Sequence, residues 1–165
     1  MMLYTHYTAP LGRILLTSNG EALTSLHLLN TEPQPDWQHD LSWFTTVFEQ
    51  LDAYFSGSLT TFDLPLAPEG TPFQQRVWAA LLNLPYGTTT SYGALAQSLG
   101  DVKLTRAVGT ANGRNPIGII IPCHRVIGAD GSLTGYAGGL DNKRFLLSLE
   151  ARHAGVPSPI QPSLF

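Results

Sequence analysis

The sequence predicts an α+β protein: a small N-terminal antiparallel sheet covered by a helix, then a mostly helical second part with a helix-turn-helix. Three observations carry this. Short runs of β-branched and apolar residues, separated by turn signals, fill the first thirty positions. Apolar residues at three- and four-residue spacings follow from position 38 onward. The stretch "LPLAPEGTP" at 64–72 then interrupts both patterns with three prolines and a glycine.

Taken in order, "LYTHY", "RILLTS" and "ALTSLHLL" read as strands, with "APLG" and "SNGE" between them as turns. Asn19-Gly20 is a common hairpin pair. After "TEPQPD", residues 38–56 read as a helix with Leu41, Phe44, Phe48, Leu51 and Phe55 along one apolar stripe. Beyond the break, Thr71 caps a helix with Pro72 at its first position, running through about Leu82 on the face of Phe73, Val77 and Leu81. Ser91 caps a short helix to Leu99, Gly100-Asp101 turns, and a second helix runs from about Lys103 to Ala111. "IGIII" at 117–121 reads as a buried strand, "GADGSLTGYAGGL" as a glycine-rich loop, and residues 141–153 as a final helix. The expected divisions are an N-terminal α/β domain at 1–67, a second domain at 68–153 and a flexible tail at 154–165.

Composition excludes several classes. Hydrophobic content of 43% with 13% charged residues describes a folded globular chain. No apolar run approaches the roughly 20 residues of a membrane span, and "MMLYTHYTAPLGR" lacks the basic and apolar regions of a secretory signal. A single cysteine fits a reducing, cytoplasmic setting; nothing suggests an obligate oligomer, so a monomer without membrane association is expected. The net charge of −3 conceals a division: residues 1–70 hold eight acidic side chains and one basic, whereas residues 71–165 hold eight basic and four acidic. That asymmetry points the second half at a polyanion.

The one thiol, Cys123, sits in "IIIPCHRVIG". Pro122 removes a donor and ends a strand, so Cys123 is placed where strand gives way to turn. Thiolate, not thiol, is the nucleophile; lowering the pKa from about 8.5 to about 5.5 would make it dominant, a gain of roughly 30-fold. His124 is an available base and Arg125 adds positive potential. A base needs a group to hold its tautomer, and Glu150, closing the last helix, is the candidate. No metal or cofactor is expected, because the histidines at 6, 27, 39, 124 and 153 lack ligand spacing and no second cysteine exists.

"RAVGTANGRNPIGIIIPCHRVIG" followed by "GSLTGYAGGLDNKRFLLSLE" resembles the O6-alkylguanine-DNA alkyltransferases, the methylated-DNA–protein-cysteine methyltransferases. The likeness is dense over residues 72–150 and extends to "TAPLG" and "LDAYFSGSL" in the first half. It implies a ribonuclease-H-like first domain and direct reversal of DNA damage. The protein would bind double-stranded DNA by the minor groove, flip out the O6-alkylguanine and move the alkyl group irreversibly onto Cys123. It implies a water-mediated base in His124, oriented by Glu150, with Asn115 bracing the cysteine loop. Tyr136 would donate a proton to the departing guanine, supported by Lys143. Backbone at Cys123, Val126 and Ala137, with Gly138 beside them, would form the guanine pocket. Arg106 would fill the gap in the base stack and Tyr92 would help rotate the nucleotide, while Ala107 and Gly109 permit close approach to the groove. Where the family usually has a proline and two alanines before Arg106, this chain has "DVKLTR", placing bulkier Leu104 and Thr105 at the groove-facing position. Gly118 stands where some members carry proline, implying a roomier pocket, and Ala137 where serine is common.

Two other functions compete: a non-catalytic sensor of DNA lesions with the same fold, and a cysteine hydrolase built on Cys123 and His124. Retention of the cysteine speaks against the first, and an intercalating arginine serves no purpose in the second. The final "QPSLF", from Gln161 to Phe165, resembles the sliding-clamp binding pentapeptide with Pro162 at the second position, which makes a clamp a candidate second partner.

Overall fold

The opening hairpin follows from its turn. β1 (Leu3–Ala9) and β2 (Gly12–Ser18) pair antiparallel from Leu3–Ser18 to Ala9–Gly12, so Pro10 and Leu11 alone make the reversal. Gly12 follows with φ 122°, a conformation that costs glycine nothing. β3 (Leu23–His27) pairs antiparallel with β2 across a four-residue turn, in which Asn19 Oδ1 accepts from the backbone N–H of Glu21 and Ala22, each at 2.9 Å. The computed structural model describes residues 1–28 and 31–160, and the chain divides into two compact units, Met1–Glu69 with Pro116–Ile120, and Gly70–Asn115 with the residues from Ile121 onward.

In the first unit the sheet order is β3-β2-β1-β4, where β4 is only Gln38–His39. β4 runs parallel to β1, so the sheet is mixed where an all-antiparallel one was expected, and the expected helix at 38–56 starts later. Gln38 N–H donates to Met2 O at 2.9 Å and Asp40 N–H to Tyr4 O at 3.1 Å, which commits these residues to the sheet edge. A 3-10 turn, Ser42–Phe44, then leads into α1 (Thr45–Phe55). Its buried face is Val47, Leu51 and Tyr54, continued by Phe44 of the 3-10 turn; Leu41 is exposed, and Phe48 and Phe55 flank Tyr7 of β1. Tyr7 also donates to Asp52 Oδ1 at 2.6 Å, pinning the helix over the sheet.

Residues 116–120 belong to this first unit, although the expected division assigned them to the second. They are not the regular strand that "IGIII" predicted. Leu26 donates to Pro116 O at 2.9 Å and bridges Ile117, but Ile119 takes φ 69°, which turns the chain out of any ladder. β-branched residues rarely adopt that conformation. Ile117, Ile119, Ile120 and Ile121 are buried even so, and it was their apolarity that the sequence pattern registered.

The second unit is built on helix caps. Thr71 Oγ1 accepts from Gln74 N–H at 3.2 Å while Gln74 Oε1 accepts from Thr71 N–H at 2.9 Å, a reciprocal box that starts α2 (Pro72–Leu81). Ser91 Oγ accepts from Ala94 N–H at 3.0 Å to start α3 (Tyr92–Ser98). After Gly100, at φ 110°, a 3-10 turn (Val102–Leu104) runs into α4 (Thr105–Gly113), so the second helix of the pair begins as 3-10 and becomes α at Thr105. Trp78 of α2 donates from Nε1 to Ala111 O at 2.9 Å, both groups buried, and locks α2 to α4. α5 (Leu140–Ala154) ends at Gly155 in the left-handed conformation. Two short strands, β5 (Thr90–Ser91) and β6 (Val126–Ile127), pair in parallel. Two residues are too few for alternation to reveal them in a sequence. Among the described residues no helix is long and apolar enough to cross a membrane. The "QPSLF" pentapeptide, 161–165, lies outside the described residues.

Candidate active site

Cys123 sits where proline chemistry predicts. Cys123 N–H turns back to Ile121 O at 2.7 Å and Arg125 N–H to Pro122 O at 3.0 Å, so Cys123–Arg125 forms a single 3-10 turn. That turn leads directly into β6, which fixes its direction through the pairing with β5. Cys123 is 6% exposed and His124 fully buried.

Below the turn, α5 presents two buried charges, Lys143 and Glu150. Seven residues span about two helical turns, so both lie on the inward face. Glu150 Oε2 takes His124 Nε2 at 2.7 Å and Arg125 Nη2 at 3.0 Å, while Oε1 takes Arg125 Nε at 2.8 Å. Arg125 also donates from Nη1 to Leu84 O at 2.7 Å, and its guanidinium lies 5.6 Å from the Tyr86 ring centre. Lys143 Nζ donates to Val126 O at 2.6 Å and Thr134 O at 2.9 Å. Asn115 Nδ2 donates to Ile121 O at 2.8 Å and Asn112 Nδ2 to Cys123 O at 3.3 Å, so two asparagines brace the backbone on either side of Pro122.

The protonation states follow from burial and charge. Burial alone would raise the Glu150 carboxyl, but His124 and Arg125 hold it well below its ordinary 4.5, and it is ionised. Burial lowers the His124 imidazole below 6.5 and outweighs the pull of Glu150, so the ring is neutral. An ionised carboxylate at 2.7 Å from Nε2 requires the proton on that nitrogen. The lone pair is therefore on Nδ1, which is buried and without a hydrogen-bond partner in the protein. The imidazole is thus a base with its acceptor atom fixed in position.

The thiol itself departs from expectation. Burial pushes Cys123 above its usual value, and the hydrogen bond from the Asn115 side chain and the charge of Lys143 only partly counter it. The resting group is a thiol, not the thiolate the sequence argument called for, because its desolvation exceeds the nearby positive potential. Burial lowers Lys143 to about 8, with a Cys123 charge acting in the opposite direction. Burial, with Cys123 and Glu150 adding to it, holds Tyr136 well above 10, which keeps its phenol protonated. The Tyr136 hydroxyl is buried and finds no protein partner.

The remaining expected residues lie on α3, α4 and the glycine-rich loop. Arg106 and Ala107 are exposed in the first turn of α4, opposite its buried Val108, Ala111 and Asn112. Gly109 is half-buried against Tyr92: a side-chain carbon there would stand 3.6 Å from the tyrosine ring. Thr105 donates its hydroxyl back to Val102 O and so spends it within the 3-10 turn. Ala137 is exposed, whereas Gly138 is buried with its carbonyl accepting from Asn142 Nδ2 at 2.7 Å. Cys123, His124, Glu150, Asn115 and Lys143 are therefore linked through hydrogen bonds and charge, and Arg106, Ala107 and Thr105 stand apart from them at the start of α4. Sequence reasoning missed Asn112, and it gave Arg125 only a diffuse charge. The signal for Arg125 was present: a buried carboxylate beside a neutral histidine needs a cation.

Comparison with known proteins places the chain in a family. Residues 72–152 match the family description 6-O-methylguanine DNA methyltransferase, DNA binding domain, and residues 2–68 match its ribonuclease-like domain. A methylated-DNA–protein-cysteine methyltransferase of Methanosarcina acetivorans is 51% identical over 153 residues, covering 90% of this chain and 98% of the relative. The crystal structure of Mycobacterium tuberculosis OGT in complex with DNA superposes with a TM-score of 0.87 at 49% identity, covering 95% of this chain and 96% of that one. With both halves matched and half of the aligned residues shared along nearly the whole length, the chain belongs to the 6-O-methylguanine DNA methyltransferase family.

Proposed function

We propose that this protein repairs O6-alkylguanine in double-stranded DNA by moving the alkyl group onto Cys123, once per molecule. The observation that carries the reading is the buried lone thiol on the same 3-10 turn as a neutral histidine whose Nε2–H is held by Glu150. The thiol is protonated at rest, so deprotonation accompanies the reaction: Nδ1 of His124 receives the proton through a water. A sulfur–carbon bond forms as the carbon–O6 bond breaks, and the electron pair enters the guanine. Tyr136 donates towards the leaving base, whose proton gain balances the loss at sulfur. Lys143, its charge favoured by a negative sulfur, stabilises the thiolate as it forms and fixes the loop that carries Tyr136. Asn115 braces the cysteine turn, while Val126, Ala137 and Gly138 border the base.

Arg106 fills the vacated stack from the minor groove and Tyr92 turns the nucleotide, with Ala107 and Gly109 allowing close approach and Thr105 at the rim. Extrusion costs a few kcal/mol, which the exposed guanidinium on α4 offsets by stacking and hydrogen bonding. The reading extends to the cytoplasm, supported by the single free thiol, and to a monomer. It also includes the sliding clamp as a second partner of residues 161–165.

Mass spectrometry after mixing with a duplex holding one O6-methylguanine tests the main claim. One methyl mass gained stoichiometrically on the Cys123 peptide, and none in Cys123→Ser, is expected. An unmodified protein that still binds the damaged duplex would make it a lesion sensor instead.

A further inference from the structure

Thr134, in the loop between β6 and α5, holds two groups at once. Its carbonyl accepts from the buried Lys143 Nζ at 2.9 Å, and its hydroxyl donates to the Tyr92 hydroxyl oxygen at 2.8 Å. Tyr92 is the first residue of α3, so a single exposed threonine connects the helix-turn-helix to the lysine beneath the thiol. The direction of the second bond matters. A phenol oxygen that accepts from Thr134 keeps its own proton free to donate elsewhere. Tyr92 packs beside Gly109 of α4, on the helix pair assigned to DNA under the alkyl-transfer reading, where a phosphodiester oxygen would be its acceptor.

We propose that Thr134 is a positioning residue: its hydroxyl sets the Tyr92 phenol as a hydrogen-bond donor to the phosphate of the nucleotide being rotated. Its carbonyl, held by Lys143, ties that setting to the loop carrying Tyr136. This rests on the alkyl-transfer reading above and extends it. Neither half of the arrangement touches the alkyl group, so Thr134 acts on nucleotide delivery and not on bond breaking. The flanking Gly135 and the glycines at 128 and 131 leave the loop few other side-chain anchors. Among its described side chains, Ser132 bonds only within the loop, to Asp130.

The test compares transfer from a duplex containing one O6-methylguanine with transfer from a free O6-alkylguanine nucleobase, which needs no rotation. In Thr134→Val the ratio of duplex rate to nucleobase rate falls about three- to tenfold, the usual effect of one net hydrogen bond. Thr134→Ser restores the ratio, because it keeps the hydroxyl. Tyr92→Phe lowers the ratio similarly, and adding Thr134→Val to it lowers the ratio no further. A wild-type ratio in Thr134→Val, failure of serine to rescue, or additive losses in the double variant would overturn the proposal. Wild-type protein that takes no methyl from either substrate would instead overturn the alkyl-transfer reading, so the two failures are distinct.

Discussion

Glu150 serves His124 and Arg125 with one shared oxygen: Oε2 lies 2.7 Å from the imidazole Nε2 and 3.0 Å from a guanidinium nitrogen. One carboxylate therefore orients the base and neutralises a buried cation. Replacing it by Glu150→Gln leaves Arg125 without a counter-charge and allows the imidazole to lose its fixed tautomer. Unfolding in urea should show a loss of about 3 kcal/mol, typical of a broken buried pair. Single-turnover transfer should slow by about 100-fold, as expected when a catalytic base loses its place.

Tyr136→Phe should separate activity from stability. The hydroxyl is buried without a protein partner, so removing it costs the fold little and can be slightly stabilising. As a proton donor to the leaving base it is worth about 100-fold or more in transfer rate. Equal thermal midpoints with a slowed single turnover would confirm this; an equally fast variant would remove Tyr136 from the mechanism.

Arg106→Ala should act only through DNA. The side chain is exposed and at the start of α4, so stability should change by less than about 0.5 kcal/mol. Transfer from duplex should fall about tenfold or more, while transfer from a free alkylated nucleobase should be unaffected. A parallel loss with both substrates would assign Arg106 to the site itself.

Acid should destabilise the protein in two steps. His124 titrates below its ordinary 6.5 when folded, so the unfolded chain binds a proton that the folded one does not, and stability falls as pH drops below about 6.5. Glu150 titrates below its ordinary 4.5, so its contribution, complete above that value, is lost as pH falls beneath it. Urea unfolding at pH 7.5, 5.5 and 4, round values about these thresholds, should give successively lower midpoints. A midpoint that held constant or rose towards acid would contradict both assignments.

What the sequence disclosed depended on how local each cause was. Thr71 and Ser91 made their caps as the sequence predicted, because a cap is settled within four residues. Cys123, His124 and Glu150 were legible through motif and chemistry, and of the three the histidine and the glutamate are joined by a hydrogen bond of 2.7 Å. The protonation of Cys123 was not, since desolvation is a property of everything packed around the sulfur. Gln38 and His39 failed for a similar reason: they are claimed by hydrogen bonds from β1, distant in sequence. Ile119 shows the limit most plainly, for its φ of 69° reverses what five apolar residues in a row imply.

The placement of residues 116–120 bears on how this protein can be cut. A protease or a cloning boundary at "LPLAPEGTP" would look like a clean separation of two modules. The later half would nevertheless carry away a segment whose hydrogen-bond partner, Leu26, stays behind on the other piece. Its isoleucines would then meet water a few residues ahead of the cysteine, and such fragments should be sticky and poorly soluble.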